Sequence, residues 1–409
     1  MVAALTRRLW FTTGDKHEVP LAQPEKQLFS LKIFGPATEG GVIIKWQEEL
    51  KENIQTIEQL EGHLNLTSEE RNSLQRIVGI HPMSITRYYI SLIDSEDPAD
   101  PIRKMSVPSE EELNVVGSYD TSGEAENSKM PGLQHKYAQT ALILSTNRCA
   151  MYCRHCFRKR LVGLPNDEVM RRFQEAADYI RKHEEINNVL ISGGDPLVLP
   201  TKVIVNFLRD LNFMDGGSFI RFGSRVPVTF PQRISEDEEL LNELKRYSSK
   251  FRRIYIVTQF NHPREITPQA VEAIDELMKA GVVMSNQTVL LKGVNDDPDT
   301  LAKLQNGLVS VGVSPYYVFQ CRPVKRVKNH FQVPLVEGCK IVEDAKKELN
   351  GHSKRFRYIM SHRTGKIEIL GITGDEIYFK YHQAKDVDQL GNLFMRKIDP
   401  TAGWLDDLN

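Results

Sequence analysis

The chain has 409 residues, with 53 lysines and arginines against 54 aspartates and glutamates, so its formal net charge is −1. This balance excludes nucleic-acid binding through bulk positive charge, and we expect no nucleic-acid partner. The longest apolar runs are far shorter than the roughly 20 residues of a membrane-spanning helix, and the N-terminal stretch lacks the apolar region of a secretion signal. We therefore expect a cytoplasmic protein without a membrane partner.

In chain order, residues 1–45 have no regular pattern and predict an N-terminal arm. Residues 46–135 predict a helical region and a linker. Apolar residues recur there every three or four positions, and Thr67 and Glu70 have the spacing of a capping box. From residue 96 to 135 the chain is acidic and contains several prolines and glycines, which predicts surface connectors.

Residues 136–329 contain six short β-rich runs. After the first run, they begin at intervals of about thirty residues, the length of a βα unit. Helical patterns lie between them, and the clearest has Thr267 at its N-cap and Gly281 just past its end. The sequence thus predicts an α/β fold with a partial (β/α)6 barrel, preceded by a helical extension. Residues 330–409 predict a C-terminal helix and a hairpin-like, β-rich appendage. The six runs are residues 141–145, 188–192, 219–224, 254–260, 283–291 and 315–321.

Three of the five cysteines, Cys149, Cys153 and Cys156, have Cys-x3-Cys-x2-Cys spacing just after the first predicted strand. An odd number of cysteines in a chain without a secretion signal argues against a disulfide framework. Three thiolates are one short of the four that close a [4Fe–4S] cluster, which leaves one iron open to a small molecule. A zinc site with a histidine such as His155 as the fourth ligand is the alternative, and it would make the chain a metal-binding module.

This spacing resembles that of the radical S-adenosylmethionine (SAM) superfamily, in which the open iron binds SAM. Gly193, Gly194 and Asp195, after the second predicted strand, resemble the Gly-Gly-Glu/Asp turn of the same superfamily. Further segments, among them RFGSRVPVTFPQRI, FNHPREIT, NQTVLLKGVND and PYYVFQC, are similar to those of one family of that superfamily. Through them the chain resembles the lysine 2,3-aminomutase family from about Trp46 to about Leu349. The resemblance implies a radical SAM barrel that uses pyridoxal 5′-phosphate (PLP) and a 5′-deoxyadenosyl radical to move an amino group between Cα and Cβ.

The resemblance also implies roles for individual residues. Arg158 would pair with the substrate α-carboxylate, and Lys136 stands where the family has an arginine near the PLP phosphate. Lys366, after Gly365, would be the lysine that holds PLP. Four further residues are expected near SAM or PLP after the third and fourth predicted strands, and these are Ser224, Arg225, Asn261 and His262.

Two departures from the family affect the substrate and the PLP site. Arg322 replaces an aspartate that in lysine enzymes binds the side-chain ammonium, so we expect a non-lysine, acidic amino acid. The alternative is that Arg322 belongs to a basic surface loop. The segment before Lys366 lacks the glycines of the family, so an exposed strand lysine is the alternative there. The C-terminal zinc-binding cysteines of the lysine enzymes are absent, although we still expect a homo-oligomer.

Two rival enzymatic functions stay open from sequence. One is a radical SAM enzyme on the same scaffold without PLP, and the other is an aminomutase that acts on an amino acid linked to a protein. In each case the chemistry requires an electron donor of the flavodoxin or ferredoxin type.

Overall fold

A computed structural model describes residues 46–214, 217–248 and 252–408, and the predicted N-terminal arm lies outside these residues. Within them, one twelve-stranded sheet pairs each strand with the next along the chain. The strands are β1 (Ser128–Met130), β2 (Leu133–Tyr137), β3 (Thr140–Thr146), β4 (Asn188–Gly193), β5 (Phe219–Gly223), β6 (Ile254–Thr258), β7 (Val283–Leu290), β8 (Ser314–Gln320), β9 (Arg357–His362), β10 (Gly365–Thr373), β11 (Glu376–Ala384) and β12 (Leu393–Lys397).

Strands β3 to β9 pair in parallel, and antiparallel strands extend the sheet at both ends. The six predicted barrel strands are confirmed as β3 to β8. Strand β9 is a seventh parallel strand of the sheet, whereas the sequence pattern predicted that its residues belong to the C-terminal appendage. The sequence predicts one β-like run over residues 358–370, but the structure breaks it at Arg363 and Thr364, where His362 pairs with Gly365 across a two-residue turn. Apolar residues on both sides of this turn make the run look continuous in the sequence.

Helices connect the parallel strands and cover the outside of the sheet. The predicted cap at Thr267 is confirmed, because its side chain accepts a hydrogen bond from the backbone N–H of Ala270. No helix in the described ranges is long and apolar enough to cross a membrane. The helices are α1 (Trp46–Glu49), α2 (Ile57–Glu61), α3 (Ser68–Ile80), α4 (Arg87–Ile90), α5 (Pro101–Ser106), α6 (Glu124–Asn127), α7 (Phe173–Lys182), α8 (Thr201–Asp210), α9 (Val226–Thr229), α10 (Gln232–Ser235), α11 (Glu238–Tyr247), α12 (Pro268–Lys279), α13 (Pro298–Ser310), α14 (Lys328–Phe331) and α15 (Leu335–Lys347).

The helical extension is more broken than its apolar pattern predicts. The chain leaves the helical conformation at Asn53, whose side-chain amide donates to the Ser84 hydroxyl (2.8 Å) and to the Ala150 carbonyl (2.7 Å). A capping box at Thr56 then starts α2. The predicted capping box at Thr67 is confirmed at the start of α3.

The expectation that residues 96–135 are surface connectors is wrong for much of this segment. It contains α5, α6, β1 and most of β2, and the side chains of Glu112 and Glu124 are buried in ion pairs with Arg154 and Arg158 of the cysteine segment. An acidic composition suggested exposure, but the basic partners lie far away in sequence. The domain boundaries stay predictions, and β2 crosses the one at residue 135.

Candidate active site

The predicted site residues come together at the edge of the sheet where the parallel strands end. A cavity of about 460 Å³ lies there. Of the predicted residues, only Asn261 and His262 are not among those that line it. The predicted residues that line the cavity are Lys136, Cys149, Cys153, Cys156, Arg158, Gly193, Gly194, Asp195, Ser224, Arg225, Arg322 and Lys366.

The three cysteines suit an iron–sulfur cluster better than a zinc ion. Among the described residues, their sulfur atoms are not all within 4.8 Å of one another. Tetrahedral zinc, with Zn–S bonds of about 2.3 Å, would hold the sulfurs about 3.8 Å apart. Arg225 Nη1 donates to Cys153 Sγ at 2.7 Å, so a guanidinium faces one of the three sulfurs. Burial raises the pKa of the Cys156 thiol to about 11, so ligation of a metal must displace its proton.

The Gly-Gly-Asp turn is bonded directly to the cysteine loop. The Gly194 N–H donates to the Thr146 carbonyl (2.6 Å), and the Asp195 N–H donates to the Arg148 carbonyl (2.7 Å). A Cβ atom on Gly194 would collide with the Arg148 backbone, and Gly193 has a φ of +115°. The glycines therefore allow the close approach of two loops, in addition to the predicted approach to a cofactor.

Asp195 organises the end of β5. Its carboxylate accepts hydrogen bonds from the Ser224 hydroxyl and from the Arg225 N–H, both at 2.7 Å. Arg225 in turn forms an ion pair with the buried Glu265 at 2.6 Å. These contacts link the ends of β4, β5 and β6 to the cysteine loop.

Asn261 and His262 lie in the loop after β6. The Asn261 side chain accepts from the Val289 N–H (2.9 Å) and lies 3.2 Å from His155 Nε2. The His262 ring accepts from the Arg264 N–H at 3.2 Å. Both side chains position local backbone, and their roles toward a cofactor stay predictions.

Lys366 enters the cavity at the start of β10. A Cβ atom on Gly365 would collide with the Gln383 carbonyl, so the glycine lets β10 lie against β11 at this point. Lys366 Nζ lies 5.2 Å and 5.7 Å from the ring centres of Tyr317 and Tyr137, and it has no hydrogen-bond or ion-pair partner among the described residues. Burial, together with a smaller effect of nearby cations, lowers the pKa of Lys366 to about 7. It is an internal lysine, not an exposed strand lysine.

Unpaired polar atoms beside Lys366 fit a phosphate group. Arg221 Nε, Gln134 Nε2 and Gln383 Oε1 are buried without hydrogen-bond partners in the described ranges. Unpaired buried donors are costly, and an anion would satisfy Arg221 and Gln134. By contrast, the predicted phosphate contact Lys136 already donates to the Ser122 and His362 carbonyls, at 3.1 and 2.7 Å. The sequence interpretation missed Arg221, although an arginine within an apolar barrel strand was a usable signal.

Two guanidinium groups flank Phe157 at the cavity wall. Its ring centre lies 4.6 Å from Arg158 Cζ and 4.2 Å from Arg322 Cζ. Arg158 pairs with Glu124 at 3.2 Å, and its Nη2 makes no hydrogen bond in the described chain. Arg322 donates only to the hydroxyls of Ser122 and Ser361 (2.9 and 3.0 Å) and forms no ion pair with a described acidic residue. The alternative that Arg322 belongs to a surface loop is therefore wrong.

The cavity is strongly cationic. Six lysines and arginines line it, against the two acidic residues Glu124 and Asp195. Glu124 is shared by Arg158 and Arg160, and Asp195 binds the end of β5. No sequence motif marked Phe157 or Glu124, and only the fold shows that both support the arginines.

The comparisons with known proteins agree with this geometry. Residues 143–304 match the radical SAM superfamily. A protein of Aquifex aeolicus (strain VF5), provisionally named an L-lysine 2,3-aminomutase, is 43% identical over 343 residues, which are 84% of this chain and 91% of that protein. The L-lysine 2,3-aminomutase of Clostridium subterminale is 39% identical over 76% of this chain and 73% of its own length. The glutamate 2,3-aminomutase of Clostridioides difficile (strain 630) is 38% identical over 76% of this chain and 72% of its own.

Proposed function

This chain belongs to the lysine 2,3-aminomutase family of radical SAM enzymes, and from that premise we propose that its substrate is an amino acid with an anionic side chain, L-glutamate first. The chain is thus an aminomutase, an isomerase that acts on an amino acid. Sequence identity does not distinguish the two substrates, because a lysine enzyme is 39% identical to this chain and a glutamate enzyme is 38% identical.

Family membership implies a [4Fe–4S] cluster and SAM, and PLP is typical of the aminomutase relatives. We infer that Cys149, Cys153 and Cys156 hold the cluster, that Lys366 holds PLP and that Arg221 binds its phosphate. When bound, the cluster and SAM supply a hydrogen-abstracting radical, and PLP supplies the π system that delocalises an unpaired electron. The role of the chain is to position these groups and to exclude water.

Arg158 and Arg322 would bind the two ends of the substrate. Arg158 Nη2 has no hydrogen-bond partner among the described residues and suits the α-carboxylate, and Arg322 suits a carboxylate on the side chain. Phe157 packs against both guanidiniums and supports their spacing.

The observation that carries the proposal is the Arg322 guanidinium, which lines the cavity and forms no ion pair with any acidic residue that the structure describes. Burial lowers the pKa of Arg322 only to about 10, so the group is charged at neutral pH. A side-chain ammonium would meet this like charge, while Glu124 is already in ion pairs and Asp195 already accepts hydrogen bonds from Ser224 and the Arg225 N–H. A side-chain carboxylate would instead complete an ion pair.

The test compares substrates and an Arg322 variant after anaerobic reconstitution with iron, sulfide and PLP. We expect turnover of L-glutamate, little of L-lysine, and a kcat/KM for glutamate lowered about 30-fold or more in Arg322→Gln, which corresponds to about 2 kcal/mol. The exposed control Arg363→Gln keeps the parent value. Faster turnover of lysine than of glutamate by the parent enzyme would contradict the proposal.

The same experiment separates the rival functions. Radical formation with no PLP absorbance would favour PLP-free chemistry, and turnover only of a protein-linked amino acid would favour the other rival. A flavodoxin- or ferredoxin-type electron donor and a homo-oligomeric assembly stay predictions.

A further inference from the structure

A second group of metal-ligand side chains lies outside the active-site cavity. His135 is on β2, His183 follows the last residue of α7, and Glu185 is in the loop before β4. One ligand atom from each lies within 4.8 Å of the other two. The group lies near the start of β4, whereas the active-site loops follow the ends of the strands.

The hydrogen bonds of His135 prepare one ring nitrogen to bind a cation. Its Nε2 lies 3.0 Å from the Ala138 carbonyl, which can only accept, so Nε2 carries the proton. The lone pair is then on Nδ1, which faces the Tyr179 hydroxyl at 3.0 Å. A histidine whose far nitrogen donates to a backbone carbonyl is typical of metal sites, because this bond fixes the tautomer and the ring orientation.

His183 and Glu185 complete a donor set on the same side of α7. His183 Nδ1 lies 2.8 Å from a Glu185 carboxylate oxygen. The His183 ring stacks on Tyr179 with centres 4.1 Å apart and meets His135 edge-on at 5.5 Å. His183 also caps the C-terminus of a ten-residue helix, where the helix dipole favours a cation.

We propose that His135, His183 and Glu185 bind one divalent transition-metal ion, with Zn²⁺ as the preferred metal. Two imidazoles and one carboxylate form a known three-residue zinc set, which leaves a fourth position for water. The side chains of His183 and Glu185 are 35% and 47% exposed, so they can close the remaining distance to an ion. The bound ion would tie β2 to the α7–β4 loop. This inference is independent of the substrate proposal.

The test uses the reconstituted enzyme, because a bound cluster keeps zinc from Cys149, Cys153 and Cys156. Holoenzyme that carries its iron–sulfur cluster and no zinc is incubated with ZnCl₂ and gel-filtered, and its zinc content is measured beside that of His183→Gln and Glu185→Gln. The exposed His352→Gln is the matched control. We expect one equivalent of zinc in the parent and the control. Both site variants should bind zinc at least tenfold more weakly, and their aminomutase activity should equal that of the parent.

Thermal unfolding gives a second readout. Zinc that binds only the folded state raises the unfolding temperature, and this rise should vanish in the site variants. Both variants are expected to fold, because the substituted side chains lie at the surface. Absence of zinc from the parent holoenzyme would overturn the proposal. So would equal zinc content, or an equal rise in unfolding temperature, in His183→Gln.

Discussion

At the scale of residues, the reactivity of Lys366 depends on its charge. An amine attacks a carbonyl only when it is neutral, and an exposed lysine is almost fully protonated at neutral pH. Burial against Tyr137 and Tyr317 brings the pKa of Lys366 to about 7, so a large fraction is neutral there.

The rate of PLP capture by Lys366 should therefore follow pH. Below about pH 7 the amine is protonated and capture slows, and above that pH the rate reaches a plateau. The measurement is the growth of the imine absorbance band after PLP is mixed with the PLP-free protein at several pH values. Lys366→Arg should give no band, and the exposed control Lys380→Arg should behave as the parent. A band retained in Lys366→Arg would assign PLP to another residue.

A second residue-scale prediction concerns Arg221. Arg221→Gln should weaken PLP binding about 10- to 100-fold, since a charge-assisted hydrogen bond contributes about 1.5–3 kcal/mol. PLP titration followed by absorbance measures the dissociation constant. The exposed Arg209→Gln is the control, and equal affinities of the Arg221 and Arg209 variants would contradict the assignment.

The sequence predicted the residues that belong to local motifs, namely the three cysteines and the Gly-Gly-Asp turn. It could not show that the Asp195 carboxylate accepts hydrogen bonds from the Ser224 hydroxyl and the Arg225 N–H, because these donors lie about thirty residues away in the sequence. Side chains without a motif, such as Arg221, acquire a role only when the strands place them on the inner face.

At the scale of elements, the helical extension braces the cysteine loop. The N–H groups of Tyr152 and Arg154 donate to the Ser84 and Met105 carbonyls, both at 2.9 Å. Glu112 then binds Arg154 through both oxygens (2.7 and 2.5 Å) and Lys159 at 2.6 Å. Although burial opposes it, these cations lower the pKa of Glu112 to about 2.

Glu112→Gln should destabilise the protein by about 3–5 kcal/mol, because two buried cations lose their counter-charge. The cysteine loop should then lose iron faster during gel filtration, which iron analysis and electron paramagnetic resonance can measure. Glu110→Gln, whose side chain is 71% exposed, is the control. Equal iron content and equal denaturant midpoints in the two variants would contradict this role.

The strands were more predictable than the connections. The regular spacing of the β-rich runs and their composition predicted β3 to β8, because buried parallel strands are apolar along their length. The break between β9 and β10 and the packing of residues 96–135 depend on partners distant in sequence. Neither leaves a local pattern.

At the scale of the whole molecule, a net charge near zero coexists with a strongly positive cavity. The chain has a net charge of −1, yet six basic side chains line one cavity. The sheet joins the walls of this cavity without interruption, and the helical extension packs against the same loops.

This continuity predicts one unfolding transition for the extension and the C-terminal strands. Trp46 packs against Arg233 with the guanidinium 4.0 Å from the ring centre, and Trp404 is buried in the C-terminal core. Two variants, each with Trp10→Phe and one further Trp→Phe change, leave one reporter apiece. Their fluorescence midpoints in denaturant should coincide, and clearly separate midpoints would show independent units.

The most direct test of the central claim follows the migrating nitrogen. L-Glutamate labelled with nitrogen-15 at the amino group and carbon-13 at C3 is incubated with the reduced, reconstituted enzyme and SAM. The account predicts a new one-bond coupling between the two labels in the NMR spectrum, because the amino group moves to C3. Unchanged glutamate, under conditions in which the same preparation rearranges L-lysine, would contradict it.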